Sequence, residues 1–243
     1  MSNTVYLRTG KLFFAFITLA IGVIHFAFHN FPLGLLPIPA SLPGREVLVY
    51  ITGALLALSG LMLFTKKYAY YGAVLAGAIW MLFLILLHIP KLIGDIHNGS
   101  EWTATFEMIA LLSGTCLLAG TSSTNKLPEA GKFLFLLSLV VYTVLHYVYL
   151  QFIATLIPGW LPFHVFWAWL VLIAFFAATI SLLIGKAVRL SEALLALMFL
   201  LWVLMLHLPR VIGSPGIEPE WTSLFICLGV SGIALLIAGS AKE

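Results

Sequence analysis

The chain has 243 residues, of which 62% are hydrophobic and 9% charged, with a mean hydropathy of +1.12 and a formal charge of +3. A soluble domain carries about 25% charged residues, so this composition excludes a chain that covers itself with a solvated surface. The small positive balance holds no dense Lys/Arg patch interleaved with aromatics, which excludes nucleic acid as a partner; the expected surroundings are a lipid bilayer.

Crossing a bilayer core takes about 20 apolar residues. Eight segments qualify, at roughly 12–30, 47–64, 69–89, 102–120, 132–156, 165–185, 191–208 and 221–239. Arg8 and Lys11 precede the first, which is too long for a signal-peptide core and lacks a small-residue cleavage site, so a retained helix is expected. Backbone polar groups in lipid must bond within their own segment. Runs such as Leu82-Phe83-Leu84-Ile85-Leu86-Leu87 show none of the alternation of a barrel strand. The predicted fold is an all-α polytopic membrane protein. With the N-terminus inside, the inner segments collect Arg8, Lys11, Lys66, Lys67, Lys126, Lys132, Lys186, Arg189 and Lys242, against Arg45, Lys91 and Arg210 outside. That bias places both termini in the cytoplasm. Cys116 and Cys227 lie far apart in apolar runs and read as small fillers, not as a dithiol or zinc site.

The sequence repeats itself. Leu87-His88-Ile89-Pro90-Lys91-Leu92-Ile93-Gly94 recurs as Leu206-His207-Leu208-Pro209-Arg210-Val211-Ile212-Gly213, displaced by 119 positions. At the same displacement Glu101-Trp102-Thr103 matches Glu220-Trp221-Thr222, and Pro39 and Pro43 match Pro158 and Pro162. After a two-residue adjustment His25 matches His146 and Phe31 matches Phe152. Four helices per unit is an even number, so the units are parallel. The expectation is two tandem four-helix bundles, residues 1–121 and 122–243, joined by a polar linker at Thr121–Lys126.

The third helix of each unit ends in His-x-Pro-Lys/Arg. His88 and His207 lie just before the proline, Lys91 and Arg210 just after it. A proline there ends the helix or frees carbonyls. Each pair reads either as a site for an anionic or quinone-like headgroup or a proton-transfer site, or as a helix stop with a basic residue snorkelling to the headgroups. By depth, His25 and His146 could face His88 and His207. His25 and His29 share a helical face, a spacing that can hold a metal or haem; Leu150 stands where the second unit would repeat His29, which disfavours both. Glu107 is the clearest intramembrane acid, expected to pair with His25, His29 or His88, and Ile226 is its counterpart. It reads equally as a proton or cation contact and as an interhelical hydrogen bond. Glu101 and Glu220 suit helix N-termini, Trp102 and Trp221 read as interface anchors, Gly53 and Gly60 as close-packing positions, and Trp80 and Trp202 as core fillers. Intramembrane polar residues cluster toward the outside, and the inner halves of the spans look dry.

Gly22-Val23-Ile24-His25-Phe26, Leu42-Pro43, Val49-Tyr50-Ile51-Thr52-Gly53, Ser59-Gly60 and the Leu-His-x-Pro-Lys/Arg segment followed by Glu-Trp-Thr resemble the DoxX-like membrane proteins. The likeness covers nearly all of the first unit and, more loosely, the second. It implies four-helix units in a bacterial inner membrane, and some relatives look like membrane subunits of sulfur or quinone oxidoreductases. Three functional readings follow. One is a subunit binding a quinone near the outer leaflet or a membrane or periplasmic redox partner. The others are a transporter lined by His25, His88 and Glu107, and a non-catalytic scaffold whose polar residues hold helices together.

Overall fold

The computed structural model describes residues 2–120 and 126–241. The linker at 121–125 and the residue Lys242 therefore lie outside the described residues. Within them, eight helices are long and apolar enough to cross a membrane: α1 Asn3–Ala27, α2 Arg45–Phe64, α3 Ala69–Gly94, α4 Gly99–Gly120, α5 Leu127–Val148, α6 His164–Ile184, α7 Val188–Gly213 and α8 Glu218–Ser240. No strand occurs among the described residues. The all-α, polytopic membrane architecture is as the composition requires. Outward faces carry Val47, Leu58, Leu82, Phe176 and Leu183, all exposed, as a lipid-facing surface needs.

An even number of crossings brings the two ends of the bundle to one face, here called the terminal face; the opposite one is the distal face. The helices form a closed ring in chain order, with α8 returning to pack on α1, and α4 and α8 also meet across the middle. The first helix of each half thus packs on the last helix of the other. α4 and α8 are accordingly the most buried of the eight. Close approach is made by glycine: a Cβ on Gly10 would lie 2.6 Å from the carbonyl oxygen of Gly232, at the α1–α8 contact. One on Gly60 would lie 2.4 Å from the Leu19 amide nitrogen, and one on Gly53 2.7 Å from the His25 Cβ, so both glycines act as packing positions.

Of the two readings of Pro90 and Pro209, a helix stop or freed carbonyls, the helix stop does not hold. α3 and α7 each run through the proline to a glycine one turn later, and each is π-helical just before it, over Leu84–His88 and Val203–His207. Proline lacks the amide hydrogen that the preceding turn would need, and one widened turn absorbs the misfit without ending the helix. The boundaries Ala69–Phe83 and Val188–Trp202, the π-turns, and the final turns Ile89–Gly94 and Leu208–Gly213 all recur at a displacement of 119. In each half the indole N–H of the following tryptophan donates to a carbonyl six residues back, Trp102 to Ile96 at 2.8 Å and Trp221 to Pro215 at 2.9 Å.

The halves diverge after their first helix. Following α1, the chain turns at His29 (φ 50°) and tucks Phe31, Leu35, Leu36 and Ile38 into the core. Following α5 it continues as a short helix, Leu150–Leu156. Phe31 is 1% exposed and its counterpart Phe152 is 62% exposed.

Candidate functional site

A cavity of about 980 Å³ opens at the distal face, between the second half and α4 of the first. Its mouth lies between the α3–α4 connection at His97–Asn98 and the short helix, at Phe152 and Leu156. Its walls are Phe175 of α6, Phe199 and Trp202 of α7, and Tyr142 and Tyr149 of the α5 region. Glu107, His146, His207 and Cys227 supply polar groups. Volume and lining are those of a site for a small organic molecule: mostly apolar, with a few convergent polar atoms.

His146 donates from Nδ1 to the Tyr142 carbonyl at 3.0 Å, one turn back on α5. A neutral imidazole has one N–H, so Nε2 remains as an acceptor. The ring stands edge-on to Phe175, with centroids 4.7 Å apart. His207 closes the π-turn of α7, and its Nδ1 is buried without a hydrogen-bond partner among the described residues. The Tyr142 hydroxyl is likewise buried and unpartnered. Glu107 enters from α4 of the other half, so the site is built across the junction of the two units. Cys227 places Sγ 3.3 Å from the Phe199 carbonyl.

The first half holds the matching histidines in a sealed state. His25 and His88 are fully buried. His25 donates from Nδ1 to the Ile21 carbonyl at 2.8 Å and packs edge-on to Phe31, with centroids 5.5 Å apart. His88 donates from Nε2 to the Leu35 carbonyl at 2.8 Å. Phe31, Leu35 and Leu36 are buried against these histidines in the first half. Arg45 stacks over Phe31 at 5.5 Å and bonds the Asn30 side chain, which holds this plug in place.

The expected site residues are thus divided. Glu107, His146 and His207 come together; His25 and His88 lie within the plugged half. Glu107 does not pair with His25, His29 or His88, because the ring order of the helices turns it toward α5 and α7. His29 lies at the surface, 3.0 Å from the Tyr50 hydroxyl. Lys91 is exposed. Arg210 donates to the Leu156 carbonyl at 3.0 Å and so ties down the end of the short helix.

Several site residues escape sequence reasoning. Tyr142 and Phe175 sit in unremarkable apolar runs. Trp202 packs against the core as expected and also lines the cavity, and Cys227 lines it too. Glu192 lies outside the cavity, one turn into α7 from the terminal face. It is fully buried, and neither carboxyl oxygen has a hydrogen-bond partner among the described residues. The terminal-face half of the spans is therefore not uniformly dry. An acid in an amphipathic helix start reads as interfacial, and only the packing of α7 shows it enclosed. Among the described residues no group of three or more His, Cys, Asp and Glu could hold a metal ion. Comparison of the chain with protein families, with curated proteins and with solved structures finds no match.

Proposed function

We propose that this protein binds a lipophilic small molecule with a hydrogen-bonding headgroup, of the quinone class, as a membrane subunit serving a redox partner. The single observation that carries this reading is the distal cavity. Its aromatic walls suit a flat ring, and Glu107, His146 and His207 converge on the space such a ring would fill. The distal face is the outer one in this reading, because most of the positive residues lie toward the terminal face. The resemblance to DoxX-like proteins agrees with it, as does descent of the two halves from one duplicated four-helix unit in a bacterial inner membrane. Electrons for reducing a bound quinone would come from the redox partner.

A transport reading needs a polar path from one face to the other. The cavity ends at Phe175, Met198 and Phe199, and Leu195, the next turn of α7, is buried and apolar. The scaffold reading leaves an aromatic-lined space of this volume without a role.

Purified protein in mild detergent, extracted and analysed by mass spectrometry, tests the proposal. A stoichiometric quinone that disappears in a Glu107→Leu/His146→Leu double variant supports it. Identical small-molecule content in both proteins, with no quinone in either, overturns it.

A further inference from the structure

We infer that the plug of the first half is a built-in template for the ligand of the second: the occupant of the cavity presents a carbonyl oxygen to His207 Nε2 and an apolar ring to His146. This rests on the reading of the cavity as a lipophile site and specifies the chemistry it selects.

Corresponding histidines are held alike in the two halves. His25 and His146 each donate Nδ1–H to the carbonyl one turn back, at 2.8 and 3.0 Å. His88 and His207 each occupy the last position of a π-turn. Each has a buried Nδ1 with no hydrogen-bond partner among the described residues. That shared orientation leaves Nε2 of both rings as the nitrogen that meets whatever fills the space.

In the first half the filler is the chain itself. The Leu35 carbonyl accepts from His88 Nε2–H at 2.8 Å, and Phe31 meets the edge of His25 at an interplanar angle of 82°. In the second half the chain that would supply both groups is wound into Leu150–Leu156, and Phe152 turns outward. The receiving nitrogen of His207 remains without its carbonyl, while the ring of His146 is met edge-on by Phe175 and keeps its cavity-facing side for a ligand. His207 has no hydrogen-bond partner among the described residues, although its counterpart is satisfied.

The tautomers set the selectivity. His88 must carry its proton on Nε2 to donate to a carbonyl, and the same tautomer at His207 offers one N–H to an acceptor. His146 offers an acceptor at Nε2. A planar carbonyl-bearing ring on an apolar tail satisfies His207 as Leu35 satisfies His88, and its reduced, hydroxyl-bearing form gains a donor to His146. A quinone supplies the ring and the acceptor and its quinol the donor, whereas an alkylbenzene of the same size supplies the ring alone.

Decylubiquinone labelled with ¹³C at the ring carbonyls, and dodecylbenzene as the carbonyl-free control, are the probes. Binding is measured by calorimetry in detergent, and the carbonyl stretch by isotope-edited infrared difference spectroscopy. In the unaltered protein one carbonyl band is expected to shift to lower wavenumber. His207→Leu removes that shift and weakens decylubiquinone binding about three- to tenfold, the worth of one hydrogen bond. His207→Gln, which keeps an N–H donor, restores part of both, and dodecylbenzene binds the unaltered and His207→Leu proteins equally. A shift that persists in His207→Leu, or binding of dodecylbenzene without decylubiquinone, overturns this inference and leaves the lipophile site standing. Failure of both probes to bind overturns the inference and the site together.

Discussion

Glu107 and His146 belong to different halves of the chain, yet they line one cavity, because α4 packs directly against α5. Neither half alone contains the site. The half-buried Glu107 carboxyl faces the cavity, with no side-chain hydrogen bond among the described residues, and a polar group held in apolar surroundings without a partner costs up to roughly 1–3 kcal/mol by mutational measures.

Glu107→Leu should therefore stabilise the empty protein by about 1–3 kcal/mol while removing headgroup binding. The expected result is a rise of several degrees in the unfolding temperature in detergent, together with loss of extractable ligand. A lower unfolding temperature in ligand-free protein would show that the carboxyl has a stabilising partner.

Matched phenylalanines should respond in opposite ways. Phe31 is buried in the plug and Phe152 is largely exposed at the cavity mouth. Phe31→Ala should cost about 3–5 kcal/mol, as a large buried ring does. Phe152→Ala should stay within about 0.5 kcal/mol, as exposed positions do. Denaturant titration of the two variants in one detergent compares them directly; equal costs would mean that the short helix does not hold Phe152 outside.

At the terminal-face end of α7, Glu192 occupies the position that Ala73 fills in α3, 119 residues earlier, and both are buried. An unpaired charge at a span centre costs about 2.5–3.5 kcal/mol, falling toward the ends. Glu192→Met keeps the volume and removes the polar group, so its unfolding temperature should exceed that of the unaltered protein. A lower value would point to a proton or cation that the carboxyl needs in order to pack.

Orientation is open to direct labelling. In a Cys116→Ser/Cys227→Ala background, His97→Cys at the cavity mouth should react with a membrane-impermeant maleimide added to intact spheroplasts. Lys67→Cys, on the terminal face, should react only after lysis. The reverse pattern would put the cavity on the cytoplasmic side.

Much of this protein is fixed by local chemistry. Eight apolar segments of spanning length must be helices, because lipid offers no partner for a free amide, and the displaced His-x-Pro motif marks where each half bends. The proline does not bound the helix. A helix ends at proline only if the preceding carbonyls find nothing better, and here a π-turn serves.

Pairings across the bundle were beyond the sequence. Depth along a span can be read from residue numbers, so His25, His88 and Glu107 fall at similar levels. Which way each faces depends on the order of helices around the ring. That order sends Glu107 to the second half and leaves His25 and His88 under Phe31, Leu35 and Leu36. The difference between the plugged half and the open one was equally hidden: Phe31 and Phe152 match in the sequence. One follows a chain reversal at His29, and the other lies in the short helix Leu150–Leu156. Sequence alone determined the spans, the displaced His-x-Pro motif and the histidines, since these follow from hydropathy and self-similarity. The tertiary structure decided which histidines meet an open space, since that depends on how a loop of a few residues folds against its own bundle.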